Sequence, residues 1–145
     1  MEAFFAGFIH PLIGWDHLVV MVAVGLWAVQ LGGRALYALP LTFVSVMAAG
    51  GAAGFVGMAL PGAEAVIAVS VVALAVVVTA RARPPLFATV SMVALFAFFH
   101  GHAHALEAAQ FDARGYAAGF LLATAMLHLS GVLVALAGYR ALARV

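Results

Sequence analysis

The chain is written in long apolar stretches broken by short clusters of Gly, Pro and Arg, with few polar positions inside the stretches. Reading the breaks as boundaries predicts helices over 12–31, 36–59, 63–80, 85–106 and 114–139. Residues 2–10 are apolar but too short to span a membrane. Pro11 disfavours helical geometry at His10 and suits the first turn of a helix, so 2–10 reads as a short re-entrant or interfacial piece ahead of the first full span. The other reading makes 2–10 the kinked start of one long helix. The connections at Gly32–Arg34, Leu60–Gly62, Arg81–Pro85 and Ala108–Gly115 are short, which makes sequential helices antiparallel.

Composition turns these helices into membrane spans. The 145 residues are 68% hydrophobic and 8% charged, with a mean hydropathy of +1.22, whereas a soluble domain is roughly a quarter charged. At about 20 residues per span, the length holds about five helices and no soluble domain. The expected fold is an all-α integral membrane protein, one transmembrane domain over 1–145. A net charge of +1 gives no reason to expect nucleic acid as a partner. The absence of cysteine leaves nitrogen and oxygen as the ligands for any metal. The N-terminus has no positive n-region and does not read as a secretory signal peptide.

All six basic residues are Arg. With the N-terminus outside, Arg34, Arg81, Arg83, Arg140 and Arg144 fall on the cytoplasmic side and only Arg114 outside, which sets the expected topology as N-out and C-in. Trp15 and Tyr116 at the outer face, with Trp27, Tyr37 and Tyr139 at the inner one, read as aromatic belts. Gly50-x-x-x-Gly54 with Gly57, and Gly115-x-x-x-Gly119, read as small-residue faces for close helix packing.

Ionisable groups inside a membrane are costly and so face a cavity, a partner or an ion. Here they gather in His10-Pro11-Leu12-Ile13-Gly14-Trp15-Asp16-His17, in Phe99-His100-Gly101-His102-Ala103-His104-Ala105-Leu106-Glu107, and at His128. On a helix His100, His104 and Glu107 share a face while His102 points away. Spacing of i, i+4 for His100 and His104 suits metal binding. Asp16 beside His17 is either a ligand or the acceptor that orients the ring. By helix rise, Asp16 and His17 sit about 6–8 Å into the first span, and His104 and His100 about 3 and 9 Å from the same face, so the two clusters can meet. His128 lies deeper, as a second station or as a packing histidine bonded to a backbone carbonyl. His102 is read as such a packing histidine or as part of an outer vestibule. Imidazole with carboxylate suits Ni, Zn, Co, Cu or Fe. Met21, Met92 and Met126 are read as packing rather than ligands.

These motifs, HPLIGWDH followed by VVMVAVGLWA, and FHGHAHALE, resemble those of the HupE/UreJ family of bacterial nickel permeases. The family pattern is His, five residues, Asp-His in the first span and Phe-His-Gly-x-Ala-His-Gly-x-Glu in a later one. Ala105 stands where that pattern has Gly. The resemblance implies uptake of nickel, with cobalt as second candidate, across the bacterial inner membrane, supplying hydrogenase or urease maturation; the donor set leaves zinc open as well. The resemblance assigns metal handling to His10, Asp16, His17, His100, His104 and Glu107; the residues themselves suggest His102 as vestibule and His128 as relay. Two other readings of the same residues stand beside it: an intramembrane zinc hydrolase, which needs a closed pocket opening sideways to lipid, and a metal sensor or accessory subunit. The oligomeric state is open.

Overall fold

The computed structural model describes residues 1–143, apart from the side chains at 106, 107, 109 and 142. Its elements, in order, are α1 (Glu2–Ile13), α2 (Trp15–Leu31), α3 (Ala35–Phe55), α4 (Ala63–Thr79), α5 (Leu86–Glu107), a 3₁₀ turn at Ala108–Gln110, and α6 (Ala113–Leu142), with no strand among the described residues. The chain is an all-α, multi-pass membrane protein. By length and composition α3, α5 and α6 each suffice to cross a bilayer, and α1 and α2 form one pair bent by 78°. The apolar α4 has 17 residues, about 25 Å of helix at the usual rise, a little short of a hydrocarbon core of about 30 Å.

The N-terminal segment differs in detail from the expectation. Residues 2–10 are helical, but Pro11 does not open the next helix. It lies buried inside α1, and the break falls at Gly14. Proline holds φ near the helical value, and the last turn continues through Pro11 although the Gly7 carbonyl loses the donor that another residue would supply. Gly14, at φ −75° and ψ 108°, then leaves the helix. Its N–H donates to the His10 carbonyl (3.2 Å) and its carbonyl accepts from Leu18 N–H (2.9 Å), closing α1 and opening α2 with one residue.

Apolar burial does not by itself pull helices together in lipid, so close packing has to. The main seams are α3 against α5, and α6 against both α1 and α2. At each seam a glycine lies against partner backbone. Gly50 meets the Phe98 carbonyl and Gly101 that of Met47, while Gly54 meets Ala105 and His102. Gly7 meets Tyr116 backbone and Gly119 that of Phe4; Gly25 meets the His128 carbonyl and Gly131 that of Val22. The two expected small-residue faces therefore include real contacts, with one correction. Gly57 lies past the end of α3 at φ +79° with nothing within 4 Å, so it serves the turn. Ala105, the departure from the family pattern, is accommodated because Gly54 faces it.

Two aromatic-belt assignments are also corrected. Trp27 is fully buried, and its Nε1–H donates to the Ala82 carbonyl (3.0 Å) while Gln30 donates to Val78 (3.2 Å), so α2 clamps the α4–α5 connection. Tyr116 is buried between Phe111 and Phe120, stacked on both. Trp15, Tyr37 and Tyr139 are exposed. Outward-facing residues such as Val69, Val72, Phe87, Leu95, Leu129 and Val134 present an apolar surface, as lipid contact requires.

Candidate metal centre

The bend at Gly14 brings the last turn of α1 and the first turn of α2 to the C-terminal part of α5. His10, His17 and His104 each offer a ring nitrogen, and these atoms lie within 4.8 Å of one another. Ring centroids are 5.4 Å apart for His10 and His17, 4.8 Å for His10 and His104, and 4.3 Å for His17 and His104. His17 and His104 are buried and His10 partly so. The sequence expectation that the two motifs meet is correct, through residues 87 positions apart.

Hydrogen bonding fixes what these rings present. His17 Nδ1–H donates to Asp16 Oδ1 (2.8 Å). In the neutral ring that bond leaves Nε2 as a lone pair, and Nε2 of His17 faces Nε2 of His104 at very short range. A proton on His104 Nε2, or a cation shared by the two rings, completes that contact. A carboxylate behind a histidine is the usual way to aim a ligand ring and raise its basicity. The Asp16 side chain is 30% exposed.

Gly14 supplies space for this pair. A β-carbon there would sit 2.5 Å from His17 Nδ1 and 3.2 Å from Asp16 Oδ1. One wall of the site comes from α6. Phe120 has its ring centroid 5.7 Å from that of His10 and 5.2 Å from that of His104, and Tyr116 lies 6.2 Å from His10. Sequence reasoning missed these two aromatics. Their signal was the spacing Tyr116, Phe120, Thr124, His128, a row of i, i+4 neighbours along α6 that leads from the three-histidine group to the lone histidine.

The other expected residues are placed as follows. His100, one turn back from His104, donates Nδ1–H to the Phe96 carbonyl (2.9 Å) and keeps Nε2 buried without a partner. Its ring lies 5.6 Å from His17 and 6.5 Å from His104, adjacent to the three-histidine group but outside it. His102 points away, as its spacing predicted. It is only 3% exposed, so the exposed vestibule role is corrected. Its Nε2–H donates to the Met58 carbonyl (2.5 Å), tying α5 to the chain beyond α3. The Glu107 side chain lies outside the described residues, as does Arg144. Asp112 caps α6 by accepting from Gly115 N–H (2.7 Å). Met21 is buried in the core and Met126 faces outward. His128 is buried against Phe43, at 5.0 Å between centroids.

A cavity of about 250 Å³ between α3, α5 and α6 reaches His104, with Met47, Phe55, Ala105 and Leu121 among its mainly apolar walls and Arg114 at its edge. Three imidazoles with a carboxylate behind one of them can bind a borderline divalent transition ion.

A protein-family model described as "HupE / UreJ protein" matches residues 1–145. The chain is also 45% identical over 128 residues to a curated protein named "Protein HupE" of Rhizobium leguminosarum bv. viciae, covering 88% of this chain and 67% of that one. No solved structure matches.

Proposed function

This chain belongs to the HupE/UreJ family, and from that membership together with its histidine geometry we propose that it is a permease for uptake of a divalent transition metal, nickel first and cobalt second. The observation that carries the reading is the convergence of His10, His17 and His104 from three helices on one point, with Asp16 aiming the central ring. His10 and Asp16 face the outer mouth and receive the hydrated ion. His17 and His104 replace its water with imidazole nitrogen. Glu107, at the end of α5, and His100, one turn deeper than His104, complete the set that the family pattern assigns.

A permease must bind strongly enough to strip water and weakly enough to release its ion. Three neutral imidazoles with an open coordination position suit that balance better than a closed four-ligand cage. The topology we infer keeps the N-terminus outside and the C-terminus cytoplasmic, in the bacterial inner membrane. It is supported by Arg34 and Arg83, from two different connections, lining one pocket at the end opposite the histidines. The ion would serve maturation of hydrogenase or urease, as the family resemblance implies.

The test is uptake of radioactive nickel by cells producing His17→Ala or His104→Ala. Loss of a residue behind a ligand costs about 10–100-fold in affinity, so loss of a ligand should cost at least that. Wild-type uptake in both variants refutes the site. The hydrolase reading draws on one observation, the apolar cavity that reaches His104. Hydrolysis of a membrane peptide by the purified zinc-loaded chain, abolished in His104→Ala, would favour it.

A further inference from the structure

Below the three-histidine group lies a second set of buried polar atoms that the proposed outer site does not use. Both ring nitrogens of His128 and the hydroxyl of Thr124 are enclosed and have no hydrogen-bond partner, and His128 is 2% exposed. The two residues are i, i+4 on α6, one above the other on the same ridge. A threonine in a helix can return its hydroxyl to a carbonyl a turn earlier, as the exposed Thr79 and the buried Thr89 do here. Thr124 does not. The packing role open to His128 from the sequence, a bond to a backbone carbonyl, is likewise absent. Burying a donor and acceptor unpaired is costly, and functional sites are where such a cost is kept.

The position of this pair relative to the outer group is defined by two contacts. The His128 carbonyl faces Gly25, eight residues beyond His17 on α2, which is about 12 Å further along that helix at the usual rise. Phe43, fully buried, neighbours both levels. Its ring centroid is 5.7 Å from His100 and 5.0 Å from His128. The unpartnered Nε2 of His100 and the unpartnered His128 thus belong to rings that both pack against the Phe43 side chain.

We propose that His128 and Thr124 form an inner station for the same divalent ion, reached from the outer histidines past the side chain of Phe43. The ion is held there by one imidazole and one neutral hydroxyl, with its remaining positions filled by water. Such a donor set binds more weakly than three imidazoles and carries no fixed charge, which suits a step on the way out rather than a resting site. Phe43, packed against both His100 and His128, borders the path between the two stations. This rests on the outer-site reading given above.

The experiment uses the full chain purified into proteoliposomes, with nickel as the probe, and reads two quantities: nickel affinity by calorimetry and nickel transport by a trapped metal-sensitive dye. Thr124→Val is nearly isosteric and His128→Phe keeps a planar ring. The expected result for both is transport slowed by about tenfold or more while nickel affinity at the outer group stays within about twofold of wild type. Wild-type transport in either folded variant overturns the inner station. So does a loss of affinity in step with transport, which would make these residues structural supports of the outer group. If His128→Phe fails to fold, as judged by thermal melting, Thr124→Val alone decides by the same criteria. His17→Ala is run alongside: if it binds nickel as wild type does, the failure belongs to the outer site and not to the inner one.

Discussion

Asp16 and His17, neighbours in sequence, are joined side chain to side chain by a 2.8 Å hydrogen bond from Nδ1 to Oδ1, so that the acid sets which nitrogen of His17 faces His104. Removing the acid should therefore act through the ring. Asp16→Ala is expected to lower nickel affinity about 10–100-fold, the usual effect of losing the group behind a ligating histidine. Asp16→Asn retains an oxygen acceptor for Nδ1–H and should recover part of the loss. Calorimetric titration of the two variants checks this; if Asn is as damaging as Ala, Asp16 touches the ion itself.

Gly14 tests the same geometry from the backbone side. Its φ and ψ are open to any residue, so Gly14→Ala leaves the bend intact and acts by contact with His17 Nδ1 and Asp16 Oδ1. The expected outcome is a folded protein with an unchanged melting temperature and nickel affinity reduced about tenfold, within the range for a disturbed orienting group. Unchanged affinity would show that the Asp16–His17 pair tolerates displacement and is not tuned by the elbow.

Much of this arrangement was legible in the sequence because membrane helices carry their signal in simple form. Long apolar stretches gave the spans, and the i, i+4 spacing of His100 and His104 placed both on one side of α5. The i, i+2 offset turned His102 away. What was not legible depended on neighbours in space. Nothing local distinguishes a lipid-facing Trp15 from Trp27, which is drawn into the core by the Ala82 carbonyl. Pro11 looked like the stronger break, yet the helix runs on through it without the bond it would have donated, and Gly14 is the residue whose ψ leaves the helix. His100 and His104 share a face, but only a tertiary crossing decides that His104 joins His10 and His17 while His100 looks toward Phe43.

The α3–α5 crossing should be sensitive to a single methyl group. Gly101 lies against the Met47 carbonyl and Gly51 backbone, with no room for a β-carbon. Gly101→Ala is expected to destabilise the protein by about 1–3 kcal/mol, the range for overpacking a tight interior. A β-carbon added at Gly138 would meet no neighbouring helix within 4 Å. Gly138→Ala should be neutral or stabilising by up to about 1 kcal/mol through helix propensity. Thermal melting in detergent distinguishes them, and equal effects would contradict close backbone approach as the source of the seam.

The donor set separates His10 from His102, two histidines that the sequence placed in the same chemical neighbourhood. X-ray absorption on the nickel-loaded chain should show nitrogen and oxygen at about 2.0–2.2 Å and no sulfur shell near 2.3 Å, since the chain has no cysteine. His10→Ala should remove one imidazole from the scattering while leaving the fold intact. His102→Ala should do the reverse. It leaves the metal spectrum unchanged and lowers the melting temperature, because the Met58 carbonyl loses its donor, a loss of about 1–3 kcal/mol. A spectrum altered by His102→Ala, or left untouched by His10→Ala, would exchange their roles and move the ion to the other side of α5.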